Sequence, residues 1–168
     1  MRVLTLFVLL VFGCTLLGCS TRLASPKPVP ASTLVDSDGV KFSLDEYKGT
    51  VLLVDVWAHW CAPCKKALPT IQAIHEDYLD DPRVVVLGVH GDPNGAAASE
   101  VLREKNVTFR QVLDGGPALA KELGVSGYPT FFVVSADGQI VHQKVGASGG
   151  LSRSLRSAIK EELAELSG

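Results

Sequence analysis

The pattern of hydrophobic and polar residues along this chain predicts strands and helices in alternation. Two runs that are almost entirely apolar, Val51–Trp57 and residues 84–89, are typical of strands that are buried on both faces. Between these runs, apolar residues recur at helical spacing over residues 62–79, which predicts an amphipathic helix. Its buried face would consist of Leu68, Ile71, Ile74 and Tyr78. Pro69 lies inside this pattern and should kink the helix, because proline removes one backbone hydrogen bond.

The remaining segments predict further short elements on either side of these. Residues 33–35 and 40–42 flank a turn and indicate a hairpin, and Ser43 and Glu46 have capping-box spacing for a helical turn. The later elements are a helix at 96–105, a strand at 108–113, a helix from Gly116 that Gly124 ends, strands at 130–134 and 139–145, and a helix at 151–166. The last helix would bury Leu151, Leu155, Ala158, Ile159 and Leu166. This order predicts an α/β domain with a mixed central sheet between helical layers.

The first residues differ in composition from the rest of the chain. Residues 1–18 contain one charge, Arg2, and an apolar run at 3–17 that is shorter than the ~20 residues of a membrane-spanning helix. They are expected to be a secretory signal peptide. Residues 19–31 are rich in Ser and Pro and are expected to form a semi-extended tether, which leaves residues 32–168 as the folded domain.

The net charge of the chain and its four cysteines limit the functions that the protein can have. The 168-residue chain has a formal net charge of −2 and no run of basic residues, which argues against a nucleic-acid partner. Leu16-Leu17-Gly18-Cys19 resembles a bacterial lipobox, in which Cys19 would carry the lipid and anchor the mature protein to a membrane. An ordinary signal peptide cut nearby, or an uncleaved anchor, is the alternative. An extracytoplasmic location permits disulfides.

Cys61 and Cys64 are separated by two residues and follow directly after the first buried strand. Pro63 suits the first turn of a helix, so Cys61 should lie at the helix N-cap, where the helix dipole favours its thiolate. Cys64, one turn further along, should be more buried, and the two sulfurs can close a reversible disulfide. The alternatives are half of a zinc site, although no second Cys or His pair follows, and a purely structural disulfide of little stabilising value.

The residues around this pair resemble the thioredoxin family. Its segment D-x-W-A-x-W-C-x-P-C-K-x-x-x-P is matched by Asp55, Trp57, Ala58, Trp60, Cys61, Pro63, Cys64, Lys65 and Pro69. Gly127-Tyr128-Pro129-Thr130 is similar to the cis-proline loop of that family. The N-terminal anchor and the predicted helix-strand insertion resemble the membrane-tethered TlpA/ResA-type thiol-disulfide oxidoreductases, over about residues 32–166. The resemblance implies a thioredoxin fold with an N-terminal hairpin, dithiol chemistry without a cofactor, and protein substrates together with a membrane electron donor.

The resemblance also assigns roles to individual residues. Asp55, a carboxylate in an apolar strand, should have a raised pKa and exchange a proton with Cys64. Tyr128 and Pro129 would be joined by a cis bond and, with Trp60, bind substrate beside Cys61. His59 is expected to be an exposed bystander. The uncharged Ala62-Pro63 dipeptide favours a reductant. A role in cytochrome c maturation is one expectation from the resemblance, and Ala62 counts against it because some ResA-type reductases have glutamate at this position.

Three alternative functions belong to different classes. A thiol peroxidase would need Pro and Thr or Ser where this chain has Val54 and Ala58. A Sco-type copper chaperone has C-x-x-x-C spacing and a distant histidine, for which His90 or His142 would have to serve. A tethered binding module with an inert disulfide would show no turnover.

Overall fold

The computed structural model describes residues 22–114 and 116–167, so the predicted signal peptide and Cys19 lie outside the described residues. The strands are β1 Arg22–Pro28, β2 Thr33–Asp36, β3 Lys41–Ser43, β4 Val51–Trp57, β5 Val84–His90, β6 Arg110–Asp114, β7 Thr130–Val134 and β8 Gln139–Val145. The helices are α1 Ala62–Asp77, α2 Gly95–Glu104, α3 Gly116–Glu122 and α4 Leu151–Glu165, with a 3-10 turn at Leu44–Tyr47. None of these helices has the length and apolar character that crossing a membrane requires.

The eight strands form one mixed sheet in the order β1-β8-β7-β4-β5-β6-β2-β3. The interior strands β4, β5 and β6 run parallel to one another, and the remaining pairs are antiparallel. Every residue of β4 is buried, as its predominantly apolar sequence predicted. The fold class predicted from the sequence, a thioredoxin-like mixed sheet between helices, is confirmed.

Side chains of β4 alternate between two hydrophobic cores, one on each face of the sheet. Leu53 and Trp57 pack into the core that α1, α2 and α4 cover, and this core includes both cysteines of the pair. Leu52 and Val54 pack into the opposite core, which α3 and the N-terminal hairpin cover. A single strand therefore positions one helix layer on each side of the sheet.

The predicted tether at residues 19–31 is wrong for most of its length. Residues 22–28 form β1, which pairs antiparallel with β8 at the edge of the sheet, and Val29 is buried next to it. Nearly all β1 side chains are exposed, so the strand has no apolar periodicity to predict it. Backbone pairing attaches it to the sheet, and an edge strand accommodates its prolines. The domain thus includes residues that sequence analysis assigned to the linker.

The other predicted elements are present, and no end differs from its predicted position by more than two residues. The capping box of Ser43 and Glu46 is confirmed, and α1 continues through Pro69. One predicted core position is wrong, because α4 ends at Glu165 and Leu166 is exposed. Glu162 is buried instead.

Candidate active site

The carboxyl ends of β4 and β5 lie side by side and supply the loops of the site. Trp57 and His90, the last residues of these strands, are paired in the parallel register, and the N–H of Gly91 donates to the carbonyl of Trp57 over 2.9 Å. Ligand and catalytic sites of sheets with parallel strands gather at such an edge. Here it brings the segment that carries the cysteine pair next to the segment after β5.

Cys61 and Cys64 form a disulfide at the N-terminus of α1, with a sulfur–sulfur distance of 2.04 Å. Cys61 is the N-cap residue, and its Sγ accepts a hydrogen bond from the backbone N–H of Cys64 over 3.2 Å. Cys61 is 5% exposed and Cys64 is 1% exposed, which confirms that Cys64 is the more buried cysteine. In the reduced protein this N–H and the helix dipole favour the thiolate of Cys61, the form that attacks disulfides.

Asp55 is buried in the middle of β4. Strand alternation places it on the same face as Leu53 and Trp57, which is the face that α1 covers. Burial raises the pKa of its carboxyl group to about 8, as the sequence predicted in direction. Its Oδ1 atom has no hydrogen-bond partner among the described residues. The carboxyl group can therefore hold or release a proton near neutral pH.

Trp60 and Tyr128 form an aromatic rim beside the disulfide. Trp60 is 58% exposed, and its ring meets that of Tyr128 edge-on at a centroid distance of 5.7 Å. The Tyr128 hydroxyl donates to the carbonyl of Gly91 over 2.9 Å, and a Cβ atom at residue 91 would overlap the Tyr128 ring. The peptide bond between Tyr128 and Pro129 is cis, as the resemblance predicted.

His59 is half-buried and contacts two groups, so the prediction of an exposed bystander is wrong. Its Nδ1 lies 3.2 Å from Nε2 of His90 and 3.7 Å from Oδ1 of Asp92. The backbone N–H of His59 also donates to Nε2 of His90 over 3.2 Å. The ends of β4 and β5 lie side by side and bring these groups together, although His59 and His90 are 31 residues apart in the sequence.

Asp92 connects this histidine pair to the aromatic rim. Its Oδ2 accepts a hydrogen bond from the indole N–H of Trp60 over 3.0 Å, and its Oδ1 accepts one from the backbone N–H of Asn94 over 2.9 Å. The Asn94 N–H, followed by the Trp60 N–H, lowers the pKa of the Asp92 carboxyl group. Burial and, next, the neighbouring His59 lower the pKa of His90. A carboxylate and a neutral imidazole therefore face each other here.

Asp92 and Gly91 are not predicted from the sequence, and His90 is predicted only as a possible copper ligand. Gly91 and Asp92 directly follow the predicted second buried strand, whose carboxyl end adjoins that of β4, and this position could have indicated that they belong to the site. His142 lies elsewhere, in β8, where its Nε2 is 3.5 Å from a carboxylate oxygen of Glu161.

An N-capping cysteine, a second cysteine one turn later, and a cis-proline loop on a mixed sheet define the dithiol class of thioredoxin-fold proteins. The chain belongs to the Redoxin family, whose model matches residues 24–159. The thiol-disulfide oxidoreductase ResA of Bacillus anthracis is 27% identical over 120 residues, which are 71% of this chain and 69% of that protein. The sporulation thiol-disulfide oxidoreductase A of Bacillus subtilis (strain 168) is 29% identical over 149 residues, covering 86% of this chain and 90% of that protein.

Solved structures give the same result. A Chlorobium tepidum protein assigned as a thiol:disulfide interchange protein DsbE matches with a TM-score of 0.76 and 26% identity, over 84% of this chain and 99% of that one. Together with the cysteine pair, these relatives show that the chain is a thiol-disulfide oxidoreductase, similar to the ResA type.

Proposed function

We propose that this protein is a membrane-anchored, extracytoplasmic oxidoreductase that reduces disulfides of protein substrates. The observation that supports disulfide exchange most directly is the position of Cys61 as the N-cap of α1, where the residue is more exposed than Cys64 and its thiolate is favoured as the nucleophile. The exposed residues between the two cysteines, Ala62 and Pro63, are uncharged and provide no cation to stabilise the reduced form. A pair in this setting is suited to give up electrons.

The reaction proceeds by two thiol-disulfide exchanges. The Cys61 thiolate attacks one sulfur of a substrate disulfide, so that a mixed disulfide forms and the other substrate sulfur leaves as a thiolate. The Cys64 thiolate then attacks the sulfur of Cys61, which releases the second substrate thiolate and leaves the Cys61–Cys64 disulfide. Two electrons pass to the substrate, and a membrane electron donor returns two electrons to the pair. The exchange needs no cofactor.

Asp55 is proposed as the base that accepts the proton of Cys64 before the second exchange. Its pKa of about 8 is close to that of an ordinary thiol, ~8.5, so a proton can pass in either direction at little cost. Its position on the α1-covered face of β4 supports this role.

Trp60, Tyr128 and Pro129 are proposed to hold the substrate. The exposed Trp60 ring offers an apolar contact, and Tyr128 and Pro129 precede β7 at the same edge of the sheet. An extended substrate segment can pair with backbone groups of such a loop while its disulfide faces Cys61.

Lipidation of Cys19 and an extracytoplasmic location complete the proposal, and they depend on the lipobox-like segment. Apocytochrome c is one candidate substrate. Ala62, at the position where some ResA-type reductases have glutamate, argues against it. The thiol-disulfide oxidoreductase relatives favour disulfide exchange over the copper-chaperone and thiol-peroxidase alternatives.

Trapping the mixed disulfide tests which cysteine attacks. In Cys64→Ser the backbone N–H that donates to Cys61 Sγ is retained, but the resolving thiol is lost. We expect this variant, mixed with insulin, to accumulate a covalent adduct that dithiothreitol releases, as seen by non-reducing electrophoresis and mass spectrometry. The matched control Cys61→Ser should form little adduct. Equal adducts in the two variants, or an adduct in Cys61→Ser alone, would refute the assignment.

A further inference from the structure

Three side chains that disulfide exchange does not use lie together at the carboxyl edge of the sheet. One ring nitrogen of His59, one ring nitrogen of His90 and one carboxylate oxygen of Asp92 all lie within 4.8 Å of one another. His59 follows β4, His90 ends β5, and Asp92 follows it, so the sheet itself fixes their relative positions. We call these residues the His-His-Asp cluster.

The distances in the His-His-Asp cluster suit one metal ion. In a tetrahedral site with metal–nitrogen bonds of ~2.0–2.1 Å, neighbouring ligand atoms lie roughly 3.3 Å apart. Nδ1 of His59 lies 3.2 Å from Nε2 of His90 and 3.7 Å from Oδ1 of Asp92. Small side-chain movements would bring all three atoms to one ion, and a fourth position would stay open to solvent or another ligand.

The lone pair of His90 already faces the cluster. Because the backbone N–H of His59 donates to Nε2 of His90, that nitrogen is the unprotonated one and its lone pair points towards His59. A metal ion would take over this lone pair, as neutral imidazole nitrogens do in metal sites. The ring is completely buried and packs against Trp57 at a centroid distance of 5.0 Å, which fixes its orientation.

The carboxylate of Asp92 is also held in place by its surroundings. The indole N–H of Trp60 donates to Oδ2, and the backbone N–H of Asn94 donates to Oδ1. Each oxygen of a carboxylate has two lone pairs, so Oδ1 can accept from Asn94 and still bind a cation. Groups that orient metal ligands in this way are typical of metal sites in proteins.

We propose that His59, His90 and Asp92 bind one divalent transition-metal ion, Zn²⁺ or Cu²⁺. Two imidazoles and a carboxylate are ligands that both ions accept. The site uses neither cysteine, so it binds metal while the Cys61–Cys64 disulfide is intact. The proposal is therefore independent of the direction of electron flow in the disulfide exchange.

Titration calorimetry of the purified, fully oxidised chain with Zn²⁺ and with Cu²⁺ tests the site, since the disulfide removes the nearby thiolates of Cys61 and Cys64 as competing ligands. We expect one equivalent of at least one of the two ions to bind. His59→Asn and Asp92→Asn should each weaken binding by at least about 10-fold. The matched control His75→Asn, a histidine near the end of α1 outside the cluster, should bind like the unchanged protein.

Two further readouts on the unchanged protein do not depend on whether a variant folds. The chain has two tryptophans, and both lie at the cluster: Trp57 packs on His90 and Trp60 bonds Asp92. Cu²⁺ should therefore quench most of the tryptophan fluorescence with an endpoint at one equivalent, and its electron paramagnetic resonance spectrum should show nitrogen ligands. No saturable binding of either ion, bound Cu²⁺ without nitrogen ligands, or equal affinity in folded His59→Asn, Asp92→Asn and His75→Asn would overturn the proposal.

Discussion

At the scale of single residues, Asp55 makes the stability of the protein depend on pH. Its carboxyl group titrates near 3.8 in an unfolded chain and at about 8 in the fold, because burial disfavours the charged form. Between these pH values the folded state keeps a proton that the unfolded state has released. Stability from this group is thus fully present below pH 4 and is lost as the pH rises towards 8.

Asp55→Asn should remove this pH dependence. From pH 5 to pH 8 we expect the stability of the variant relative to the unchanged protein to rise by up to about 4 kcal/mol. Urea denaturation of both oxidised proteins at several pH values measures the difference. Parallel stability curves would show that the pKa of Asp55 is not raised in the fold, and would contradict the match between its pKa and that of the Cys64 thiol.

Part of the site could be predicted from the sequence, and part of it became apparent only from the structure. Asp55, Cys61 and Cys64 could be predicted because their environment is local: an apolar strand, then a helix N-terminus. His59 was misjudged and Asp92 missed because their partners come from the end of another strand. The parallel pairing of β4 with β5 decides those contacts, and a single sequence specifies pairing only indirectly.

At the scale of secondary-structure elements, the N-terminal strand β1 is attached to α4 by charge as well as by backbone pairing. Nη1 of Arg22 lies 3.3 Å from Oε1 of the buried Glu162 and 2.6 Å from Oε1 of Glu165. Burial raises the pKa of Glu162, and the charge of Arg22 opposes that rise. Arg22 therefore helps to keep a buried carboxylate ionised.

Arg22→Ala should lower the free energy of unfolding by about 1 kcal/mol at pH 7, since the buried carboxylate loses its cation. The loss should shrink at pH 4, where protonation of Glu162 removes the need for a partner. The matched control is Arg83→Ala, which breaks an exposed ion pair with Asp81 and should change stability little at either pH. Denaturant unfolding of both variants provides the comparison, and equal effects would contradict the attachment of β1 through Glu162.

The hydrophobic pattern of the sequence did not predict β1 or the complete buried face of α4. Hydrophobic periodicity predicted β4, β5 and α1, because those elements bury a continuous apolar face. It could not predict β1, whose exposed side chains contribute little to any core. Nor could it predict that α4 buries Glu162 and exposes Leu166, because Arg22, which contacts Glu162, lies on that unpredicted strand.

At the scale of the whole molecule, lipidation of Cys19 would place the oxidoreductase domain at a membrane. In a bacterial host supplied with a tagged fatty acid, we expect the unchanged protein to be labelled and to sediment with membranes. Cys19→Ser should be unlabelled. Cys14→Ser is the control, since Cys14 would leave with the signal peptide. Labelling of Cys19→Ser, or its loss in Cys14→Ser alone, would contradict the assignment of the lipid to Cys19.

The reduction potential of the Cys61–Cys64 pair tests the central claim most directly. The purified chain would be equilibrated with thiol redox buffers of defined potential, and the fraction of disulfide measured by alkylation and mass spectrometry. A reductant should give a value near the ~−270 mV of thioredoxin, or lower. A value near the ~−120 mV of a strong oxidase would reverse the proposed direction and make the protein a disulfide donor.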